Sequence, residues 1–203
     1  MAKGQLFIIS GPSGVGKGTI AKRILNELDN IVFSVSMTTR APREGEVDGK
    51  NYCFVTPREF NDCIAKNGFL EYAEIFGNFY GTPRKQTLES LAEGKDVLLD
   101  IDIQGAINVK ENYPDGVFIF ILPPSMTELK RRITERGTES ESAIELRFGK
   151  ALSEMSYLDR YDYYVVNGEL EEAVERVKAI FSAEHSRVGD ESKKLLERYR
   201  EEI

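Results

Sequence analysis

Metal-binding nitrogen and sulfur side chains are scarce in this sequence. Its 203 residues include one histidine, His185, and two cysteines, Cys53 and Cys63. A zinc site would need all three and a carboxylate, and the two cysteines lack the short spacing of zinc ligands. A disulfide framework is equally disfavoured, so we expect core thiols in a protein of the reducing cytoplasm. His185 has no nucleophile-elbow motif beside it, which favours a surface histidine over a Ser-His-Asp triad.

Positive charge is not in excess, and long hydrophobic runs are missing. The chain has 27 Lys and Arg against 34 Asp and Glu, for a formal net charge of -7. This balance disfavours nucleic acid or an anionic membrane as a partner, so any anionic ligand needs a local basic cluster. The longest wholly apolar run, 117–122, is far shorter than the roughly 20 residues of a membrane helix. The N-terminus has one early lysine and a short apolar stretch, which argues against a secretory signal.

The apolar residues follow the two patterns of an α/β fold. Short, nearly continuous apolar runs are typical of strands buried on both faces, and they occur at 5–10, 31–35, 97–99, 117–122 and 163–166. Between them, apolar residues recur with helical spacing, as at Ile20, Ile24 and Leu28. We therefore predict a parallel sheet core flanked by helices.

A segment of different character interrupts this pattern. Residues 36–86 begin with a polar, irregular stretch and continue with short strand-like pieces and helical stretches at 57–66 and 83–93. The first of these helices has Thr56 as its expected N-cap and Pro57 as its first residue. We predict that 36–86 forms an inserted small subdomain with antiparallel strand pairing.

The whole chain, 1–203, is predicted to be one domain with three parts. The core comprises 1–35, 87–136 and 158–203, the insert is 36–86, and a lid at 137–157 begins with a glycine-containing break. The charged tail after Gly189 carries a narrow apolar stripe. That stripe predicts a packed terminal helix or a homo-oligomer contact through it.

A phosphate-binding loop (P-loop) follows the first strand. The pattern G-x-x-x-x-G-K lies between a buried strand and an amphipathic helix, where its backbone N–H groups can surround phosphate oxygens. One position departs from the pattern, because Gly18 replaces the usual Mg²⁺-binding Ser or Thr and the hydroxyl comes one residue later at Thr19. The predicted phosphate-binding residues are Gly11, Pro12, Ser13, Gly14, Val15, Gly16, Lys17, Gly18 and Thr19.

The insert carries the residues that identify a second phosphate-bearing substrate. The N-K-x-D signature of GTPases is absent from the sequence, whereas Arg40 and Arg43 lie in the irregular stretch and suit a second phosphate group. Six motifs occur in order over about 5–183: G-P-S-G-V-G-K, S-M-T-T-R-A-P-R-E-G-E-V-D-G-K-N-Y, F-L-E, G-N-F-Y-G-T, L-L-D-I-D-I-Q-G and R-G-T-E. With these motifs the chain resembles the guanylate kinase family.

The resemblance implies phosphoryl transfer from ATP to GMP, giving ADP and GDP, with dGMP as a further candidate acceptor. It implies that the GMP phosphate is held by Arg40, Arg43, Tyr52 and Tyr80. It also implies that the guanine is read by Ser36, Glu71 and Thr82. The chemistry agrees, because guanine presents N1–H and N2–H₂ donors side by side and one carboxylate can accept from both. Adenine lacks this pair of donors.

The remaining implied site residues surround the transferred phosphoryl group. Asp100 ends a buried strand beside the P-loop, where such enzymes place an acidic group that organises Mg²⁺ or its waters, and Asp102 lies closer to the acceptor. We expect Mg²⁺ to be held by nucleotide oxygens and waters near Thr19 and Asp100, with no certain protein ligand. The resemblance also implies an adenine contact at Asn167 and lid arginines at Arg132, Arg136 and Arg147.

Two other functions stay open on the sequence alone. The P-loop would equally serve an adenylate or uridylate kinase, although Glu71 and the arginine segment argue against one. Guanylate kinase-like domains of scaffold proteins bind peptides and have lost catalysis. Those domains typically lack a working P-loop, whereas this chain keeps Lys17 and Asp100.

Overall fold

The computed structural model describes residues 3–75, 77–135 and 141–202. Its strands are β1 (Leu6–Ser10), β2 (Ile31–Phe33), β3 (Met37–Thr38), β4 (Cys53–Phe54), β5 (Phe69–Ile75), β6 (Asn78–Pro83), β7 (Asp96–Asp100), β8 (Val117–Leu122) and β9 (Tyr163–Val166). Its helices are α1 (Lys17–Glu27), α2 (Pro57–Ala65), α3 (Arg84–Ala92), α4 (Ile103–Asn112), α5 (Met126–Thr134), α6 (Glu141–Met155), α7 (Leu170–His185) and α8 (Asp190–Glu201).

Five strands form the central sheet, in the order β2-β7-β1-β8-β9. Every pairing in it is parallel, and the register places Ile8 beside Leu99 on one side and Phe118 on the other. The predicted fold class, a parallel sheet flanked by helices, is confirmed. Because β1 lies between strands that come much later in the chain, the loop after β1 opens at the carboxyl edge of the sheet. Ligands of α/β folds bind at such a position.

Successive side chains of each strand point to opposite faces of the sheet, so the hydrophobic core is divided between the two faces. Phe7 and Ile9 of β1 pack with the apolar sides of α1 and α7, including Ile20 and Val177. Leu6 and Ile8 point to the other face and pack with residues of α3 and α4. Burying such a side chain stabilises the fold by about 1.5–3 kcal/mol. The sheet is therefore a firm base for the loops at its carboxyl edge.

The insert forms a second, four-stranded sheet in the order β4-β3-β6-β5. The prediction of antiparallel pairing is correct for β5 with β6 and for β3 with β6. It is wrong for β3 with β4, which are parallel. Residues 39–52 carry the chain back across the end of the sheet, so β4 enters beside β3 in the same direction. In the hairpin, Glu71 lies directly opposite Thr82.

Side-chain caps fix where three helices begin. The Thr56 side chain accepts from the Glu59 backbone N–H and the Glu59 carboxylate from that of Thr56, so α2 starts with a capping box, as predicted at Thr56 and Pro57. Asp102 caps α4 and Ser125 caps α5 in the same way. The Asp102 cap matters for the site, because it fixes a carboxylate at the edge of the sheet.

The single histidine and the two cysteines lie outside the hydrophobic core around the central sheet. His185 is partly exposed at the end of α7, where its Nε2 lies 2.6 Å from Asp96 Oδ2, so the predicted surface histidine is confirmed. Cys53 and Cys63 are free thiols, but both are only partly buried. The prediction that they are core residues is wrong, because they lie in the small insert rather than in the packed layers around the central sheet. In the part of the chain that is described, no helix is long and apolar enough to cross a membrane.

Candidate active site

A cavity of about 380 Å³ opens where the carboxyl edge of the central sheet faces the insert. Its wall brings together residues that are far apart in the chain: Gly11, Ser13, Lys17, Ser36, Arg40, Arg43, Glu46, Tyr52, Glu71, Ile75, Tyr80, Asp100, Ile101, Asp102, Lys150 and Glu154. A larger cavity of about 630 Å³ lies beside His185 at the opposite edge of the sheet. That larger cavity has no P-loop residue in its wall, so the smaller one is the candidate site.

The loop between β1 and α1 is built on glycine conformations. Gly11, Gly14 and Gly16 have φ values of +147°, +88° and +97°. A Cβ atom on Gly11 would lie 2.4 Å from the Ile121 carbonyl oxygen, so no other residue fits there. Val15 is fully buried and anchors the loop in the core. The first turn of α1 contains no acidic residue, so no side chain of the helix itself offsets the positive end of its dipole.

Lys17 and Asp100 meet beside this loop. Lys17 Nζ donates to the Gly11 carbonyl at 2.6 Å and to the Pro12 carbonyl at 3.3 Å, so the ammonium is held over the loop. Burial raises the pKa of Asp100, and the Lys17 charge opposes that rise. A Cβ atom on Gly18 would lie 3.4 Å from Asp100 Oδ2. Position 18 therefore faces Asp100 across a short gap, whereas Thr19 is exposed on α1.

Glu71 presents a buried carboxyl group to the other end of the cavity. Its side chain is almost fully buried, and Thr82 Oγ1 donates to Glu71 Oε1 at 2.6 Å. Burial raises the pKa of Glu71 to about 7, with a further contribution from the Asp102 charge, while the bond from Thr82 acts in the opposite direction. Such a carboxyl group is ready to accept donors from a planar ligand, provided that it is ionised.

Glu46 binds the Arg40 side chain and the Arg43 backbone in the irregular stretch of the insert. Arg40 Nη2 donates to Glu46 Oε1 at 2.8 Å, and the Arg43 backbone N–H donates to Glu46 Oε2 at 2.7 Å. The Arg40 guanidinium also lies over the Tyr52 ring, 5.4 Å from its centre. Tyr80 approaches Tyr52 edge to face, with ring centres 5.9 Å apart. Two arginines and two tyrosines thus share one wall of the cavity.

The predicted lid arginines have different surroundings. Arg147, on α6, donates from Nη2 to Ser13 Oγ of the P-loop at 2.6 Å. Arg132, on α5, donates to Glu128 Oε1 at 2.8 Å and to the Asn167 carbonyl at 3.0 Å, and it does not reach the wall of the cavity. Arg136 lies outside the described residues. Of the two predicted lid arginines that the structure describes, Arg147 contacts the P-loop and Arg132 does not line the cavity.

Asn167 supports the P-loop from behind. Its side chain is almost fully buried, and Nδ2 donates to the Val15 carbonyl at 2.8 Å. A Cβ atom on Gly16 would lie 2.5 Å from the same nitrogen. The amide is thus committed to holding the loop against the end of β9, a contact that the sequence does not suggest.

Comparison with known proteins shows the family of this chain. The sequence model of the family described as guanylate kinase matches residues 3–184. The chain belongs to the guanylate kinase family. Among its relatives, the guanylate kinase of Clostridium tetani is 56% identical over 188 residues, which are 93% of this chain and 90% of that protein. The Clostridium perfringens guanylate kinase is 53% identical over 201 residues, 99% of this chain and 93% of that protein.

Solved structures agree with the family. The crystal structure of guanylate kinase from Anaplasma phagocytophilum has a TM-score of 0.77 and 40% identity, covering 92% of this chain and 89% of that one. A shikimate kinase from Bacteroides thetaiotaomicron has a TM-score of 0.52 and 16% identity, covering 88% of this chain and 98% of that one. The second likeness shows the fold alone.

The cavity of this guanylate kinase family member also contains residues that the motifs do not include. Lys150 and Glu154 of α6 line it, with Lys150 Nζ 3.6 Å from Glu154 Oε1. Burial raises the pKa of Glu154, while Lys150, Lys17 and the Ser13 backbone N–H oppose the rise. The helical spacing of Arg147, Lys150 and Glu154 places them on one side of α6. That spacing is the signal that could have predicted them.

Proposed function

We propose that this cavity transfers the γ-phosphoryl group of ATP to the phosphate of GMP, giving ADP and GDP. One observation carries the proposal. A P-loop with its lysine and a buried carboxyl group with two arginines line opposite parts of a single cavity. The first set suits a polyphosphate donor, and the second suits a guanine base with one phosphate.

On the donor side, the P-loop would hold the ATP phosphates. Its N–H groups and the start of α1 favour phosphate oxygens, and Lys17 opposes the charge on the β and γ groups. The cavity also fits Mg²⁺, because Asp100 offers one carboxylate facing the P-loop at Gly18, and Mg²⁺ commonly takes one or two carboxylates, phosphate oxygens and waters. When bound, the ion would supply charge neutralisation at the bridging and γ oxygens. Asp100 is the residue that would hold it, directly or through water.

On the acceptor side, the nucleophile is an oxygen of the GMP phosphate. A phosphate monoester has a second pKa of about 6 and is mostly dianionic at pH 7, so no strong general base is needed. Arg40 and Arg43 would hold this phosphate, with the hydroxyl groups of Tyr52 and Tyr80. Because both substrates are anionic, these groups must align two charges that repel each other.

Guanine recognition is assigned to the Glu71 end of the cavity. The Glu71 carboxylate would accept from N1–H and N2–H₂, while the Thr82 hydroxyl donates to Glu71 Oε1 and Ser36 lies in the same wall. A site that hydrogen-bonds a substrate donor rejects analogues without it, by up to about 10⁴-fold. Asp102, between Glu71 and Asp100, would organise the acceptor and its waters.

A lid built on α6 would complete the site. Arg147 reaches the P-loop, and we propose that Arg147, Arg132 and Arg136 stabilise the transferring group once both nucleotides are bound. Closure would exclude water and so prevent ATP hydrolysis. For Asn167, the bond to Val15 supports a role in shaping the ATP site from behind the loop.

A coupled assay of ADP release tests the function. We expect rapid release with GMP, measurable release with dGMP, and little with AMP or UMP. Equal rates with AMP or UMP would favour a different nucleoside monophosphate kinase. No turnover with any acceptor, together with nucleotide-independent peptide binding, would favour the scaffold-type binding module.

Three wider expectations accompany this function. We propose the division into core, insert at 36–86 and lid at 137–157, and the free thiols fit a cytoplasmic location. We also propose self-association through α8, whose Leu196 and Tyr199 are about half exposed. Sedimentation velocity tests it, because a monomer at high concentration would contradict it.

A further inference from the structure

Gly105 is a helical glycine in an unexpected position. It lies buried in the first turn of α4, where its backbone N–H donates to the capping oxygen, Asp102 Oδ1, at 2.8 Å. Its backbone is that of an ordinary helical residue, so alanine would be compatible with it. In a helix, glycine is less favourable than alanine by up to about 1 kcal/mol. Some other requirement must therefore keep a side chain out of this position.

The space beside Gly105 is filled by two carboxyl groups. A Cβ atom there would lie 3.1 Å from Asp102 Oδ1, 3.1 Å from Glu71 Oε2 and 3.4 Å from Glu71 Cδ. Contacts of 3.1 Å between a methyl carbon and an oxygen are tight, so one partner would have to move by a few tenths of an ångström. The glycine is thus the point at which the Glu71 carboxyl group rests against α4.

A hydrogen bond restrains each of these carboxyl groups. Asp102 Oδ1 holds the first turn of α4 through the Gly105 N–H itself. Glu71 Oε1 is bound by Thr82 at 2.6 Å, so only rotation about that bond would let Oε2 retreat. The helix is also tied to β5, since Asn108 Nδ2 donates to the Tyr72 carbonyl at 3.3 Å. A side chain at position 105 would therefore turn the plane of the Glu71 carboxyl group.

We propose that Gly105 is a specificity-determining residue, because its missing side chain sets the plane in which Glu71 presents its carboxylate to the acceptor base. The proposal rests on the proposed function. Two parallel hydrogen bonds to N1–H and N2–H₂ require the carboxylate to lie in the plane of the base, whereas a single bond tolerates rotation. Gly105 acts through Glu71 and touches no substrate.

The test is Gly105→Ala, assayed with GMP and with IMP, which lacks the N2 amine. Because misplacing a group by about 1 Å can reduce rates about 100-fold, a shift of a few tenths of an ångström should reduce kcat/KM for GMP by roughly 3- to 6-fold, mainly through KM. IMP makes only the N1–H bond, so its kcat/KM should fall less, and the GMP-to-IMP ratio should fall several-fold. The Kd of a non-hydrolysable ATP analogue should stay within about twofold.

Gly149→Ala is the matched control, because a Cβ atom on that helical glycine of α6 would meet nothing within 4 Å. Combining Gly105→Ala with Glu71→Gln closes a double-mutant cycle. If alanine acts through the carboxylate, it should have little further effect once Glu71 is replaced. An unchanged GMP-to-IMP ratio, or strictly additive effects, would overturn the proposal.

Folding supplies a second measurement. If Gly105→Ala does not fold, Glu71→Asp is added to withdraw the carboxyl group by one methylene, and the double variant should recover a cooperative thermal transition. If it stays unfolded, Glu71 is not the group that requires glycine, and the proposal fails. A wild-type enzyme with no preference for GMP over AMP would instead refute the proposed function, and this inference with it.

Discussion

Replacing Glu71 by glutamine should make the protein more stable and less active at the same time. The variant keeps the shape of the side chain and the acceptor for Thr82, and it removes a charge that burial disfavours. Guanine, on our proposal, needs that charge. The substitution therefore separates what the fold prefers from what the substrate requires.

The gain in stability depends on pH, and its sign follows from the raised pKa. Burial moves the pKa of Glu71 from 4.5 to about 7, so the fold favours the protonated form. The stabilisation of the fold by protonated Glu71 is fully present below pH 4.5 and is lost as the pH rises through about 7. At 1.36 kcal/mol per pKa unit, ionisation destabilises the folded protein by roughly 3 kcal/mol at pH 8. Glutamine should recover about 1–3 kcal/mol, raising Tm by several degrees in a chain of this size.

Activity should change in the opposite direction. An amide has one acceptor oxygen and turns an NH₂ group toward a guanine donor, so kcat/KM for GMP should fall by about 10²–10⁴-fold. In the wild type, the fraction of ionised Glu71 sets the apparent affinity, so KM for GMP should be about 10-fold higher at pH 6 than at pH 8. The GMP phosphate titrates near pH 6 in both proteins. Any pH dependence of KM for GMP that the wild type shows and Glu71→Gln does not is therefore due to Glu71.

Thermal unfolding and initial rates at pH 5, 6, 7 and 8 measure both effects. Glu74→Gln is the matched control, since it removes an exposed carboxylate from the same strand. The reasoning is refuted if Glu71→Gln is no more stable than the wild type at pH 8. It is equally refuted if the difference in stability between the variant and the wild type is the same at pH 5 as at pH 8. At pH 5, Glu71 in the folded wild type is neutral, as the glutamine of the variant is at every pH.

Three further substitutions examine the donor side. Lys17→Ala should reduce kcat by at least about 100-fold with an unchanged circular dichroism spectrum, and near-normal turnover would contradict the assigned site. Asn167→Ala should weaken binding of an ATP analogue about 10-fold by releasing the Val15 carbonyl, while the Kd for GMP, measured by calorimetry, stays constant. Glu154→Gln should strengthen binding of an ATP analogue several-fold, since its carboxylate competes with phosphate for Lys17 and the Ser13 N–H. Glu145→Gln, exposed on the same helix, is its control, and weaker binding by Glu154→Gln would show that the carboxylate assists ATP.

The core strands could be predicted because burial leaves a clear pattern. The apolar runs at 117–122 and 163–166 coincide with β8 and β9, residue for residue. The direction of β4 could not be predicted, since a strand of two residues carries no orientation signal and its place depends on the path of 39–52. The partly exposed cysteines were misjudged for a related reason. Apolar neighbours in sequence indicate a core only where layers of the fold cover both sides.

For the site, the sequence indicates which chemical groups are present but not which groups restrain them. The P-loop motif and Glu71 follow from local patterns and the family resemblance. Asn167 Nδ2 donates to the Val15 carbonyl, and Arg132 donates to the Asn167 carbonyl. Both hydrogen bonds join residues that only folding brings together. Neither bond has a motif. The raised pKa of Glu71 is equally non-local, because it arises from burial between β5, β6 and α4.

The balance of charge around the cavity explains how a chain with a net charge of -7 can receive two anionic substrates. In the wall of the cavity, Arg40 is paired with Glu46, and Lys150 approaches Glu154. These acids keep the long cationic side chains ordered close to where phosphates would bind, so less conformational entropy is lost on binding. A bound phosphate would replace one of these carboxylates as the partner of a cationic side chain. The net gain is therefore only the difference between the attraction of the cation for phosphate and its attraction for the carboxylate. Binding should therefore depend on geometry, with two oxygens placed against an arginine fork, more than on net positive charge. Neutral replacement of Glu46 would thus free Arg40 for phosphate and also remove one of the contacts that order it.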